Sequence, residues 1–290
     1  MRTLMTSRPV LAGILFMLSG MFLFSVNDAI GKWLVATYTV GQLLLIRSIA
    51  AMAVLAPAVA REGLGTVLNP PHPALQALRV AMSTLEIAFF YWALTYLPLA
   101  ETVTFYLAGP IYVALLARPF LGETISPRRW IAIAIGFLGV LIALNPGGAA
   151  FGWPALIAIA SSLAFAGMMI ITRQLKGTPD TTLVFWQTGA ALALGAVLAP
   201  FGWVEPSLRD YALLGMLGVV ALFAHIFTNK SLKLAPASTV VPYQYTLIVW
   251  AVILGYLVFG DVPPASTFIG AVVIVAAGVW IFWDEQKKPV

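Results

Sequence analysis

Four ionisable side chains stand inside otherwise apolar stretches of this sequence. Asp28 and Lys32 belong to the run FSVNDAIGKW at 24–33, Arg47 lies in QLLLIRS at 42–48, and Glu86 follows MSTL at 82–85. Asp28 and Lys32 are one helical turn apart with the acid first, the favourable order for an ion pair on one helix face. Such a pair can fasten a helix to its neighbours, or it can line an outer vestibule and handle a zwitterion. The guanidinium of Arg47 keeps its charge in any surroundings and grips a carboxylate with two parallel hydrogen bonds. A buried carboxyl at Glu86 suits a substrate ammonium or a coupling proton, or it pairs with a neighbouring helix.

An ionised side chain in the middle of a bilayer costs about 3 kcal/mol on insertion scales, so such charges are rare and turn towards a cavity or a partner. Asn27 shares the polar turn of Asp28. Tyr106 stands one turn before Pro110, while Tyr243 and Gln244 directly follow Pro242. Each proline frees a backbone carbonyl and can bend its helix beside a cavity. The substrate-binding or gating candidates are therefore Asn27, Asp28, Lys32, Arg47, Glu86, Tyr106, Trp186, Gln187, Tyr243 and Gln244. Ser83 and Phe90 share the helical stripe of Glu86, and Arg79 begins it. For each of these residues packing is the competing explanation.

The elements that hold them are set by composition. The 290 residues are 61% hydrophobic and 9% charged, with a mean hydropathy of +0.96; soluble domains carry about 25% charged residues. No water-soluble core absorbs that much apolar surface, so the chain is an integral membrane protein. A spanning helix needs about 20 mainly apolar residues. Runs of that kind fall at 10–31, 41–60, 80–97, 100–121, 130–145, 154–172, 182–200, 211–228, 236–259 and 265–283. The first is longer than the roughly 7–15 residues of a signal-peptide core and reads as a membrane helix. Very short links at 97–101, 145–148 and 260–264 make sequence neighbours antiparallel. GFLGVLIA at 136–143 and AGVWIF at 277–282 bring helices close together, within the chain or at a dimer seam.

The net charge of +5 does not gather into a nucleic-acid-binding patch. It follows the positive-inside rule instead. With a cytoplasmic N-terminus, thirteen of the sixteen Lys and Arg residues, Arg79 among them, fall in cytoplasmic segments. Lys32 and Arg209 lie outside, and Arg47 within a helix. Both termini are then cytoplasmic. The chain has no cysteine and hence no disulfide framework or thiolate nucleophile.

The second half repeats the first. LPLAE at 97–101 returns as LKLAP at 232–236, GETISPRRWIA at 122–132 as GDVPPASTFIG at 260–270, and IGKWL at 30–34 as ITRQL at 171–175. IRS at 46–48 returns as WQT at 186–188, so Arg47 has Gln187 as its counterpart, beside Trp186. The offset stays between 135 and 141 residues. An odd number of helices per copy inverts the second copy in the membrane, an arrangement typical of secondary transporters. The expected architecture is all-α and integral to the membrane: ten transmembrane helices forming two inverted five-helix repeats, 1–150 and 151–290, around a central cavity.

The NDAIGK run, the QLLLIR run, LPLAE entering the fourth helix and the Gly-Glu/Gly-Asp turns resemble the drug/metabolite transporter superfamily, in its ten-helix type with two EamA-type domains. The resemblance covers nearly the whole chain and extends to bacterial aromatic amino acid exporters. It implies alternating access and export of small amphipathic metabolites, aromatic or large neutral amino acids first. Nucleosides, S-adenosylmethionine and cationic drugs are the alternatives within the superfamily. A small-molecule substrate and the lipid bilayer of an inner (plasma) membrane are the implied partners, with a monomer sufficient and no cofactor or metal required. A membrane-embedded enzyme fits poorly: His72 and His225 are the only histidines, and no HExxH, GxSxG or phosphate loop occurs. A nucleotide would want several cavity cations, and a purely cationic drug a dominant acid. The near balance of acids and bases suits a zwitterion.

Overall fold

Hydrophobic runs of this length have no stable alternative to helix in a lipid phase, where every backbone N–H and C=O must be satisfied within its own segment. The computed structural model describes residues 2–96, 105–144, 153–259 and 265–286. Among these, the helices are α1 Arg2–Leu34, α2 Val40–Glu62, α3 Leu64–Leu68, α4 Pro73–Leu94, α5 Gly109–Leu121 and α6 Pro127–Leu144. The second half supplies α7 Trp153–Gln174, α8 Asp180–Leu198, α9 Leu208–Leu234, α10 Ala237–Val240, α11 Thr246–Phe259 and α12 Ala265–Gln286. The expected turns at 97–101, 145–148 and 260–264 lie outside the described residues.

Helix ends follow local chemistry. The Thr39 side chain accepts a bond from the Gln42 amide to open α2, and Ser207 accepts one from Asp210 to open α9. Pro73 starts α4 seven residues before the expected boundary, shortening the link after α2 to a stretch that holds α3. Gly122, at φ 67°, ends α5 in the left-handed conformation that glycine adopts without strain.

Five helices are long and apolar enough to span a bilayer by themselves: α1 from Pro9, α2, α7, α8 and α9. The other helices, some of them short or interrupted, complete a ten-helix membrane protein. Large apolar side chains such as Leu156, Val197, Leu257 and Val272 point outward, as a lipid-facing surface requires. The expected helix over 236–259 is broken. Pro242 has no N–H to donate, and α10 gives way to a 3-10 turn over Val241–Tyr245 before α11 resumes. Its repeat counterpart is interrupted as well: residues 105–106 are helical, 107–108 form a turn, and α5 starts at Gly109.

The most extensively packed helix pairs are α1 with α9, α4 with α7, α2 with α8, and α6 with α12. Exchanging the halves converts the first pair into the second and returns the other two to themselves, which is the signature of a two-fold relation. Small residues permit the approach. Gly13 and Gly20 lie against Ala235 and Thr228 between α1 and α9, and a side chain on Gly218 of α9 would collide with the carbonyl oxygen of Arg47. Gly139 meets Ile274 and Gly136 meets Tyr245, so the small residues of the fifth membrane helix make internal contacts.

Candidate functional site

The interrupted helices and α1, α2, α4, α7 and α9 surround a cavity between the two halves. α1 contributes Asn27 and Asp28, α2 Arg47, α4 Glu86, and the turn before α5 contributes Tyr106. From the second half come His225 on α9 and Gln244 in the 3-10 turn. Phe24, Phe90, Tyr91 and Phe165 form aromatic walls, with Tyr106 4.8 Å from Phe165 and 5.5 Å from Phe90 between ring centres. The cavity is small, about 50 Å³.

The polar groups are held by neutral partners. Tyr106 donates its hydroxyl proton to Glu86 Oε1 at 2.9 Å, and Arg47 Nη1 donates to the Tyr91 hydroxyl at 3.1 Å. Asn27 Nδ2 reaches Asp28 Oδ1 at 3.5 Å, and its own buried oxygen accepts no bond. Ser161 and Ser162 of α7 bond the backbone oxygens of Glu86 and Tyr106, fixing α4 and the turn before α5 against the second half. Ion pairs within 4.0 Å among the described residues join Arg173 to Glu123 and Lys233 to Asp180. Neither Asp28 nor Glu86 is closed on Arg47, so two carboxylates and one guanidinium face a common space with their charges apart.

The ten candidate residues separate into three groups. Asn27, Asp28, Arg47, Glu86, Tyr106 and Gln244 meet on the cavity. Gln187 lines a neighbouring polar cavity that shares Arg47 and His225 with the first. Lys32, Trp186 and Tyr243 line neither. Lys32 is exposed at the end of α1, beyond the cavity. Trp186 donates to the carbonyl of Val67 and holds α3 against α8. Tyr243 is buried in the apolar cluster beside Val113 and Phe165.

Arg79, assigned to a loop by its charge, is instead completely buried in α4. Its guanidinium donates to Thr172 Oγ1 at 2.7 Å, Leu183 O at 3.0 Å, Gln187 Oε1 at 3.1 Å and Asn229 Oδ1 at 3.1 Å. Four acceptors make burial tolerable for an ion that would otherwise carry a large desolvation cost. His225, Phe24, Tyr91 and Phe165 were not singled out from the sequence as site residues. The signal for His225 was available: an ionisable side chain in the middle of an apolar helix is a site candidate by default.

Both ends of the bundle are bridged. At the end carrying the N-terminus, Glu123 accepts the backbone amides of Ala237 and Ser238 at 3.1 and 3.0 Å and pairs with Arg173 at 3.5 Å. At the opposite end, Gln42 exchanges two hydrogen bonds with the backbone of Val204, and Tyr38 donates to Asp210 at 2.7 Å. In the loop there, donors from Trp203 and Tyr211 hold the Glu205 carboxyl below its ordinary range.

The family model described as the EamA-like transporter family matches residues 11–145 and 152–283. A protein of Rickettsia prowazekii (strain Madrid E) named S-adenosylmethionine uptake transporter is 27% identical over 97% of this chain and 96% of its own length. A riboflavin transporter of Rhizobium johnstonii is 28% identical over 80% of this chain and 77% of its own. A pseudopaline exporter of Pseudomonas aeruginosa is 28% identical over 92% of this chain and 94% of its own. One solved crystal structure superimposes with a TM-score of 0.80 at 19% identity, over 95% of this chain and 99% of that one, and shows the same fold.

Proposed function

Because the chain belongs to the EamA-like transporter family, we propose that it is a secondary carrier exporting small amphipathic metabolites that bear an amino acid head group. Movement is by alternating access, and the aromatic or large neutral amino acids are the first candidates. One observation carries the substrate class: Asp28, Glu86 and Arg47 face one aromatic-walled cavity without pairing to one another. Carboxylates receive an ammonium, a guanidinium receives a carboxylate in bidentate fashion, and the rings receive a flat or apolar side chain. A substrate that brings both charges satisfies all three groups at once, which no simple cation or anion does.

A second candidate is S-adenosylmethionine. Counted as ionised, two carboxylates and one guanidinium leave one negative charge, which complements a zwitterion carrying an additional cation. A relative over nearly the full length is named for this compound. The aromatic walls would also hold a sulfonium by cation–π attraction and a purine by stacking. The outward direction rests on the likeness to amino acid exporters, and the cytoplasmic placement of both termini rests on the distribution of Lys and Arg. The sequence offers no motif for ATP hydrolysis or enzymatic chemistry, leaving facilitated diffusion or ion coupling.

Transport into proteoliposomes tests this directly, using labelled L-tryptophan, S-adenosylmethionine, riboflavin, a nucleoside and a cationic dye. L-tryptophan or S-adenosylmethionine should move, and Arg47→Ala should abolish that movement. Transport of only riboflavin, the nucleoside or the dye would refute the amino acid head group.

A further inference from the structure

A second cavity of about 30 Å³ adjoins the first, with walls from α2, α4, α8 and α9. The two share Arg47, Ile87 and His225. Their polar chemistry is opposite. The first holds both carboxylates, Asp28 and Glu86; the second has no acidic residue in its lining among the described residues and is furnished with Arg47, Ser48, Ser83, Gln187, Thr188 and His225. Among the described residues the Arg47 guanidinium, which carries five N–H donors, makes one side-chain hydrogen bond, from Nη1 to the Tyr91 hydroxyl. Gln187 gives its oxygen to Arg79, so its amide nitrogen remains as the donor. The Nδ1 atom of His225 is buried without a hydrogen-bond partner.

We propose that this second cavity is the carboxylate subsite of the carrier, with Arg47 on the wall between the two chambers and the cationic end of the substrate held in the first. This deepens the reading above and rests on its amino acid head group. The second chamber is the smaller of the two and is lined by polar donors rather than carboxylates. Ser48 and Thr188 supply hydroxyl donors beside the guanidinium. Ser83 already donates to the Val80 carbonyl and faces the chamber as an acceptor. Arg79 touches no substrate in this arrangement; by holding the Gln187 oxygen it positions the amide donor. Mixed-sign subsites of this kind select by removal as well as attraction, since an analogue lacking the carboxylate leaves the guanidinium and its donors unpaired.

Two measurements decide it. The chain has no cysteine, so single cysteines can report local charge without any knowledge of the substrate. Ser83→Cys samples the second chamber, Asn27→Cys the first, and Thr37→Cys, on an exposed turn, serves as the reference. Each is treated with a methanethiosulfonate bearing a sulfonate and with one bearing a trimethylammonium group. The anionic-to-cationic rate ratio should be at least tenfold higher at position 83 than at the reference, and at least tenfold lower at position 27. Equal ratios, or no reaction with either reagent at position 83, would overturn the subsite. In proteoliposomes, Ser48→Ala combined with Thr188→Val should reduce the preference for L-tryptophan over tryptamine at least tenfold; an undiminished preference would overturn it as well. If the wild-type protein moves neither L-tryptophan nor S-adenosylmethionine, the proposed function fails, while the thiol reactions still decide the charge of the chamber.

Discussion

Arg79 Nη2 donates to Gln187 Oε1 across 3.1 Å, tying α4 of the first half to α8 of the second. The same guanidinium serves three other buried acceptors. Removing it strands several of them, at about 1–3 kcal/mol for each buried group left unsatisfied. Arg79→Ala should therefore lower the unfolding free energy in detergent by about 3 kcal/mol or more. Arg79→Lys, with three donors in place of a planar fork, should recover only part of the loss. Wild-type stability in Arg79→Ala would show that water replaces the guanidinium.

Asp28 and Arg47 face one cavity without an ion pair, so their coupling runs through the shared field and a bound substrate. Arg47→Ala should impair transport more than Arg47→Lys. Asp28→Asn combined with Arg47→Gln should cost less than the sum of the single changes, with an interaction energy in the range of about 0.5–3 kcal/mol. Initial rates from folded, membrane-inserted variants give the answer. Additive losses would separate the two residues, and near-wild-type rates for both single variants would remove them from the site.

Gly218 packs so closely on the Arg47 carbonyl that no Cβ fits. The obstacle is backbone, which cannot rotate away. Gly218→Ala should separate α2 from α9 and destabilise the protein by about 1–3 kcal/mol, the usual range for overpacking. Gly278→Ala, where a Cβ meets nothing within 4 Å, is the control. Thermal unfolding of the two variants side by side should differ clearly.

Glu205 accepts from Trp203 Nε1 and Tyr211 Oη, each at 3.0 Å, and these donors depress its folded pKa below 4.5. A depressed carboxyl stabilises the fold above its unfolded pKa, and that contribution is lost as pH falls through the folded value. Amide exchange at 203–207 should accelerate relative to the rest of the chain as pH drops below about 4.5, after correction for intrinsic rates. Glu205→Gln should flatten this dependence. A profile identical to that of the wild type would mean the loop is held by Gln42 and Tyr38 alone.

Thr37 and Lys176 are exposed at opposite ends of the bundle. In intact cells, Thr37→Cys should react with an impermeant thiol reagent and Lys176→Cys should not, if the Lys and Arg distribution sets the orientation. The reverse pattern would invert the protein in its membrane.

The helices were legible because apolar runs in lipid leave the backbone no other choice. Asp28, Arg47 and Glu86 were legible for the complementary reason: each stands out against an apolar run, and burial makes it costly without a purpose. Lys32 lies one helical turn further along α1 than Asp28, at the exposed end rather than on the cavity. The roles of Phe24, Tyr91 and Phe165 could not be read, since an aromatic in an apolar helix carries no mark of which face it takes. Pro242 announced a bend, but the extent of the 3-10 turn depends on what surrounds Gln244. The four acceptors of Arg79 come from three other helices, and no local pattern displays them.

The duplicated scaffold is symmetric while its charges are not: Asp28, Arg47 and Glu86 all belong to the first half, and the second answers with neutral side chains such as Gln187, Gln244 and Phe165. An empty carrier built this way has no reason to divide its time equally between its two orientations. Apparent affinity on each face scales with the share of molecules presenting the site to that face, so half-saturation from the two sides should differ. For an uncoupled carrier the ratio of maximal rate to half-saturation must still agree in both directions, since otherwise substrate would accumulate without a driving force. The side with the tighter half-saturation should thus also show the lower maximal rate.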